Sequence, residues 1–253
     1  MFGLILVGLL LLNLNSTSPA VAANFPAQDH ATIQRRRIVI RRNDAEFPKR
    51  KTAVVVYPVI TGLKADVLRN VRSHFAFKNI FDYSLAEYRA DQWLSEFSYV
   101  VNHNGNSLLD ITFTQSGMAA YPDEQSKHFL IDLRNGKLIT AKDAFQEDKL
   151  SSLAALVNRK LQDEIERLRK ENADSTERDS DQKAAVNDAY EILKFEPKDL
   201  ENFSVSKTGV TFLYDSGFPH VIKALEPQGR YYFRYAELKP FIKGQGPLGQ
   251  FLR

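Results

Sequence analysis

The chain contains no cysteine among its 253 residues. That excludes disulfides, thiolate catalysis and every cysteine-based zinc site. Histidine is sparse as well. His30, His74, His103, His128 and His220 never fall at i, i+2 or i, i+4, so no metal-site spacing exists locally. Each is expected at the surface or in a turn. No G-x-S-x-G elbow is present, and Ser116-Gly117 has no neighbouring base to activate its hydroxyl. Beyond the first residues, no apolar run could span a bilayer. The net charge of +3 is too small to imply a polyanionic partner by itself. Nor is a structural staple needed, because a chain of this length buries a core of its own.

What is present begins at the N-terminus. Gly3 to Leu12 is uncharged and leucine-rich, and too short for a transmembrane helix. A polar stretch follows, then Ala20-Val21-Ala22, the small-x-small pattern that precedes a signal-peptidase cut. Residues 1–22 are therefore expected to be a signal peptide, although no Lys or Arg precedes the apolar run. Exported eukaryotic proteins of this size usually carry disulfides. Their absence fits bacterial export, to the periplasm or beyond.

Residues 23–52 form a basic leader. Between Arg35 and Lys51 stand eight Lys or Arg and two acids. The apolar centre of Arg35-Arg36-Arg37-Ile38-Val39-Ile40-Arg41-Arg42 predicts an edge strand, since basic residues on an edge discourage pairing with other chains. The run could also meet an anionic membrane surface. Nucleic acid is not expected as a partner of an exported chain.

Val54 to Ile60 is β-branched and predicts a strand. Leu63, Val67, Leu68, Val71 and Phe75 stand at helical spacing, and a short helix is expected near Leu85 to Arg89. Trp93 to Val101, Leu109 to Thr114 and Phe129 to Leu133 alternate as strands. His103-Asn104-Gly105-Asn106 signals the first hairpin. Such a meander has one wet face. Leu150 to Leu168 carries the strongest helical period, with Leu153, Val157, Leu161 and Ile165 in phase. Glu171 to Lys183 is dense in charge and reads as a solvated loop or a frayed extension of that helix, after which Ala184 to Lys194 resumes as helix. Phe203 to Val205, Val210 to Tyr214 and Arg230 to Tyr235 are expected strands, and the tail has no pattern.

IDLRNGKLITAKDAF (131–145) mixes acids, bases and a glycine turn. Asn135-Gly136 predicts a two-residue type I′ hairpin. Thr140 and Asp143 have the spacing of a capping box. Each polar residue thus has a structural task.

This segment resembles the start of the RsiV C-terminal-like domain, an extracytoplasmic domain of largely unknown role found in the anti-sigma factor RsiV and the peptidoglycan deacetylase PdaC. Tyr57-Pro58-Val59-Ile60 and Trp93 to Thr114 resemble its companion N-terminal region. Phe203-Ser204-Val205 with Gly209 to Tyr214, then Gly229 and Tyr235-Ala236-Glu237-Leu238-Lys239, resemble its later strands and close. The likeness runs over about residues 53 to 243 and divides the chain into 53–125 and 126–253. Two departures stand out. Ala119-Ala120-Tyr121-Pro122 replaces a G-A-H-P, and Leu225-Glu226-Pro227-Gln228-Gly229 replaces a P-Y-A-x-G. The resemblance implies a non-catalytic envelope module whose partner is a cell-wall glycan or a lysozyme-like protein. No sigma-binding region precedes the apolar run, so the sensing role of RsiV is not expected here.

Catalytic residues, metal ligands and cofactors are not expected. Gly244-Gln245-Gly246-Pro247-Leu248-Gly249 matches G-x-G-x-x-G but follows no strand and opens no helix, so it is no dinucleotide fingerprint in what is expected to be a flexible tail. Asp110, Asp123 and Glu124 are close in sequence, but nothing sets two of them across a cleft. A wall-acting hydrolase with a site assembled from distant strands is the alternative. In Arg230-Tyr231-Tyr232-Phe233-Arg234-Tyr235 the period of two puts Tyr231, Phe233 and Tyr235 in the core, and Tyr232 with Arg234 on the other face. Tyr232 and Arg234 are the candidate ligand-binding pair. The fold class expected is α+β, an antiparallel sheet with helices packed on one face.

Overall fold

The computed structural model describes residues 29–42, 51–91, 93–118, 122–176 and 178–252. The expected signal peptide, most of the polar linker and Tyr121 lie outside them. The α+β class is as the patterning predicts, in two sheets rather than one: a six-stranded sheet ordered β1-β2-β3-β4-β5-β6 and a three-stranded sheet ordered β7-β8-β9.

β1 (Thr32–Arg41) is the edge strand and pairs antiparallel with β2 (Thr52–Thr61) along its length. It begins at Thr32, three residues before the basic run that predicts it. β3 (Leu94–Gly105) pairs with β2 in parallel, through Val54↔Glu96 and Val55↔Phe97, so the sheet is not purely antiparallel. A parallel pair needs a crossover. Here it consists of α1 (Ala65–His74), α2 (Phe77–Phe81) and α3 (Leu85–Ala90). α3 starts at a capping box in which Glu87 N donates to Ser84 Oγ at 3.2 Å and Ser84 N to Glu87 Oε2 at 2.6 Å. Val67, Val71 and Phe75 turn one side of the crossover onto the sheet, where Phe113 sits at the centre of a ring cluster with Phe75, Phe97 and Phe129 at 5.1–5.9 Å. Arg42, just past β1, is buried and donates to the carbonyls of Tyr88 and Leu94 at 2.9 and 3.1 Å.

β4 (Leu108–Met118) and β5 (Pro122–Asp132) complete the meander, followed by the short β6 (Lys137–Leu138). The boundary expected between residues 125 and 126 falls inside β5. Two turns differ from their local signals. Between β3 and β4 the reversal is at Asn106-Ser107, both left-handed at φ 53° and 55°, and not at Asn104-Gly105. Asn104 is occupied elsewhere: its amide exchanges two hydrogen bonds with the backbone of Ala31 at 2.8 Å. Between β5 and β6 the loop has four residues, 133–136, and only Gly136 is left-handed, at φ 73°. This turn is seated on α1, where Asn70 Nδ2 donates to Asn135 O at 2.9 Å, and a Cβ on Gly136 would lie 2.7 Å from Val67 O. Docking on a helix, not strand twist, sets its shape. The Thr140–Asp143 capping box opens α4 (Ala141–Ala144) as the spacing predicts.

The second half packs α5 (Leu150–Asp174) against β7 (Phe203–Val205), β8 (Gly209–Leu213) and β9 (Arg230–Arg234). Leu153, Val157, Leu161 and Ile165 meet Phe203, Phe212 and Phe233 in one core. α5 runs past Leu168 into the charged stretch as far as Asp174, as the helix-extension reading has it. Arg167–Glu171 and Glu166–Lys170 pairs support its exposed side. Buried Asn172 donates to Lys183 O at 3.1 Å and so holds α6 (Ser180–Glu191). The tail is also packed, not flexible. After α7 (Tyr235–Leu238), Leu248 is fully buried and Phe251 stacks on Tyr235 at 4.6 Å.

The two cores meet across the first sheet. Leu109, Ile111 and Ile131 face the α1–α3 layer, while Leu108 and Leu130, on the reverse side, belong to the α5 core. The meander's second face is therefore wet only in part: the second half covers the Leu108–Asp110 end of it.

Candidate functional site

Strand alternation points Asp110, Thr112 and Thr114 of β4, and Ser126 and His128 of β5, away from the α1–α3 layer. At the covered end Asp110 is fully buried. A buried carboxylate must be hydrogen-bonded or paired, and Asp110 is both. Its Oδ1 accepts from Asn102 Nδ2 at 2.7 Å and meets His128 Nε2 at 2.7 Å. Its Oδ2 accepts from the backbone N–H of Val205, in β7, at 2.6 Å. One side chain thereby ties the first sheet to the edge of the second. The expectation of surface or turn histidines fails at His128, whose side chain is 6% exposed, and at the buried His103. No local spacing announces the Asp110–His128 pair, since 18 residues separate them and strand register joins them.

Beside this junction the two sheets diverge into an open cleft of about 700 Å³. β5 contributes Glu124, Lys127 and His128, the segment after β8 contributes Tyr214 and Asp215, and β9 contributes Arg230. Acids and bases both line it, and Lys223 Nζ stands 3.9 Å from Asp123 Oδ1 across one end. Burial raises the pKa of the Tyr214 phenol, which donates to Lys194 O at 3.3 Å.

Of the residues singled out from sequence, Tyr231, Phe233 and Tyr235 are buried, and Tyr232 and Arg234 are exposed. Tyr232 donates its hydroxyl to Thr208 Oγ1 at 2.9 Å, and its carbonyl accepts from Lys160 Nζ at 2.6 Å. The Arg234 N–H donates to Glu237 Oε2 at 2.8 Å, at the start of α7. By the period of two, both share a face with Arg230, so the predicted pair extends a stripe that starts at the cleft wall. Arg230, His128 and Lys127 were missed; only pairing across strands brings them together. Among the described residues, no group of three His, Asp or Glu side chains is placed to hold a metal ion.

No protein-family model and no curated protein matches the chain. Solved structures do. A DUF3298 family member from Bacteroides fragilis NCTC 9343 aligns with 88% of this chain and 99% of its own, at 13% identity and a TM-score of 0.57. A DUF3298 family protein from Pseudomonas aeruginosa PAO1 aligns with 87% of this chain and 95% of its own, at 14% identity and a TM-score of 0.47. DUF3298 denotes a domain of unknown function. The chain shares the α+β fold of the Bacteroides DUF3298 protein over 88% of its length.

Proposed function

We propose that this chain is an exported, non-catalytic binding module of the bacterial cell envelope, and that it holds peptidoglycan along the cleft between its two sheets. The cleft carries the proposal. It is open, about 700 Å³ in volume, and lined by acids and bases together. Peptidoglycan offers hydroxyls along its glycan and both carboxylates and amines on its peptide stems, so a wall of mixed charge suits it. The Arg230–Tyr232–Arg234 stripe extends the contact area with residue types favoured at binding hot spots. The signal-peptide pattern and the resemblance to RsiV C-terminal-like domains point to the same compartment.

Incubating the purified chain with insoluble peptidoglycan, with lysozyme beads as a parallel bait, tests this. Retention on peptidoglycan, reduced by the double variant Arg230→Ala/Arg234→Ala, is expected. Retention on lysozyme alone would replace the glycan by a protein ligand, and retention on neither would remove the binding role.

One observation favours a second reading, a wall-acting hydrolase. His128 lines the cleft with its Nε2 already held by a buried carboxylate, an arrangement that orients an imidazole as a base. Release of soluble fragments from peptidoglycan, abolished by His128→Gln, would establish it in place of the binding module.

A further inference from the structure

A second cavity, of about 620 Å³, lies between the β5–β6 turn and the C-terminal segment, and shares no lining residue with the cleft. Its walls bring together Arg134, Lys137, Asp143 and Lys243 with the backbone of residues 244–247. The charged groups divide into two sets. Asp132 and Arg134 are spent on each other, in a two-pronged pair at 2.7–3.0 Å. Asp143 is spent on Thr140, whose N–H and hydroxyl donate to Oδ2 at 2.9 and 2.7 Å. The ammonium groups of Lys137 and Lys243 have no hydrogen bond or ion pair among the described residues.

The backbone adds a second observation. The Lys243 N–H donates to Ala144 O at 2.9 Å, which fixes the segment where it enters the cavity wall. The next two amides, of Gly244 and Gln245, make no hydrogen bond among the described residues. Two glycines further on are required by packing: a Cβ would lie 2.6 Å from Asp143 O at Gly246 and 2.0 Å from Gly244 O at Gly249. At Gly244 a Cβ would meet nothing within 4 Å, so the protein's own packing does not ask for glycine there. A bare backbone at a cavity wall is what a ligand needs in order to approach closely.

We infer that Lys137, Lys243 and the amides of Gly244 and Gln245 form a binding site for the oxyanion head of a small ligand, a phosphate or a carboxylate. Two ammoniums and two unengaged N–H groups supply charge-assisted donors without acceptors of their own. Leu138, 43% exposed, gives apolar surface for the rest of such a ligand. The site differs from a dinucleotide fold, which requires a helix opening on the glycine loop; here a short 3-10 turn, Gly249–Leu252, follows instead.

The test is titration of the full chain with inorganic phosphate, and separately with acetate, at constant ionic strength set by chloride, following backbone amide resonances. Saturable shifts at Gly244, Gln245 and Lys137 are expected with at least one of the two anions, and the anion that saturates names the head group. Lys243→Met should weaken binding by about tenfold, the loss of one charge-assisted contact. Gly244→Ala should weaken it without lowering the urea midpoint, because its Cβ meets nothing in the protein. Saturation with neither anion, equal shifts with chloride, or wild-type affinity in both variants would overturn the inference.

Discussion

The Val205 N–H donates to Asp110 Oδ2 at 2.6 Å, between residues 95 apart in sequence and in different sheets. The same carboxylate holds His128 and Asn102. This contact ties β4 to β7 beside the cleft.

Asp110→Ala would leave the Val205 N–H and the His128 ring without their partner in a buried place. Each unsatisfied buried group costs about 1–3 kcal/mol, so a loss of at least about 2 kcal/mol is expected in urea unfolding. Asp123→Ala, at the partly exposed end of the cleft, should stay within about 0.5 kcal/mol. Equal midpoints for the two variants would mean that the junction is not held this way.

Phe113 touches five aromatic rings and has no exposed surface. Phe113→Ala should lower stability by about 3–5 kcal/mol. Phe113→Leu, which keeps most of the volume, should lower it much less. Thermal unfolding of both variants checks the order.

Hydrogen bonds from the Ser84 and Lys78 side chains and the Ser84 backbone pull the Glu87 carboxyl down to about 2. A depressed folded-state pKa means stability present above the unfolded carboxyl value and lost as pH falls towards the folded one. Wild type should therefore lose this contribution between about pH 4.5 and 2. Glu87→Gln should flatten that part of the stability–pH curve and change little near neutrality. Parallel curves for the two proteins would contradict the assignment.

Arg35, Arg36, Arg37 and Arg41 are exposed along the edge strand β1, and their guanidinium groups make no hydrogen bond or ion pair among the described residues. We propose that this edge faces an anionic membrane surface and holds the module near it. Each basic group near such a surface contributes about 1 kcal/mol. Binding to vesicles containing phosphatidylglycerol should fall steeply with salt and be lost in the Arg35→Glu/Arg37→Glu variant. Deleting the segment is the wrong test, because β1 is part of the sheet. Salt-independent binding, or none, would count against a membrane role.

Much of the fold is legible in local sequence because its causes are local. The Thr140–Asp143 cap, the α5 stripe from Leu153 to Ile165 and the alternation that buries Tyr231 and Phe233 while exposing Tyr232 need only neighbours a few residues away. The two misplaced turns show the limit. Asn104-Gly105 has good turn chemistry, but Asn104 is claimed by Ala31, and the 133–136 loop is shaped by α1. Charge density left Glu171 to Lys183 open between loop and helix extension, and the end of α5 at Asp174, with Asn172 bonding across to α6, is set by tertiary packing. The candidate cleft was legible only in its Tyr232–Arg234 extension.

Sequence alone determined the class of the chain: thiol-free, of mixed α and β, with its side-chain periods set by backbone geometry that every residue obeys. Tertiary structure decided which face of β4 stays wet, why Asp110 and His128 share a bond, and that Lys137 and Lys243 line one cavity. Those depend on strand register and on the docking of one core against another, energies summed over residues far apart in the chain, and no short window of sequence contains them.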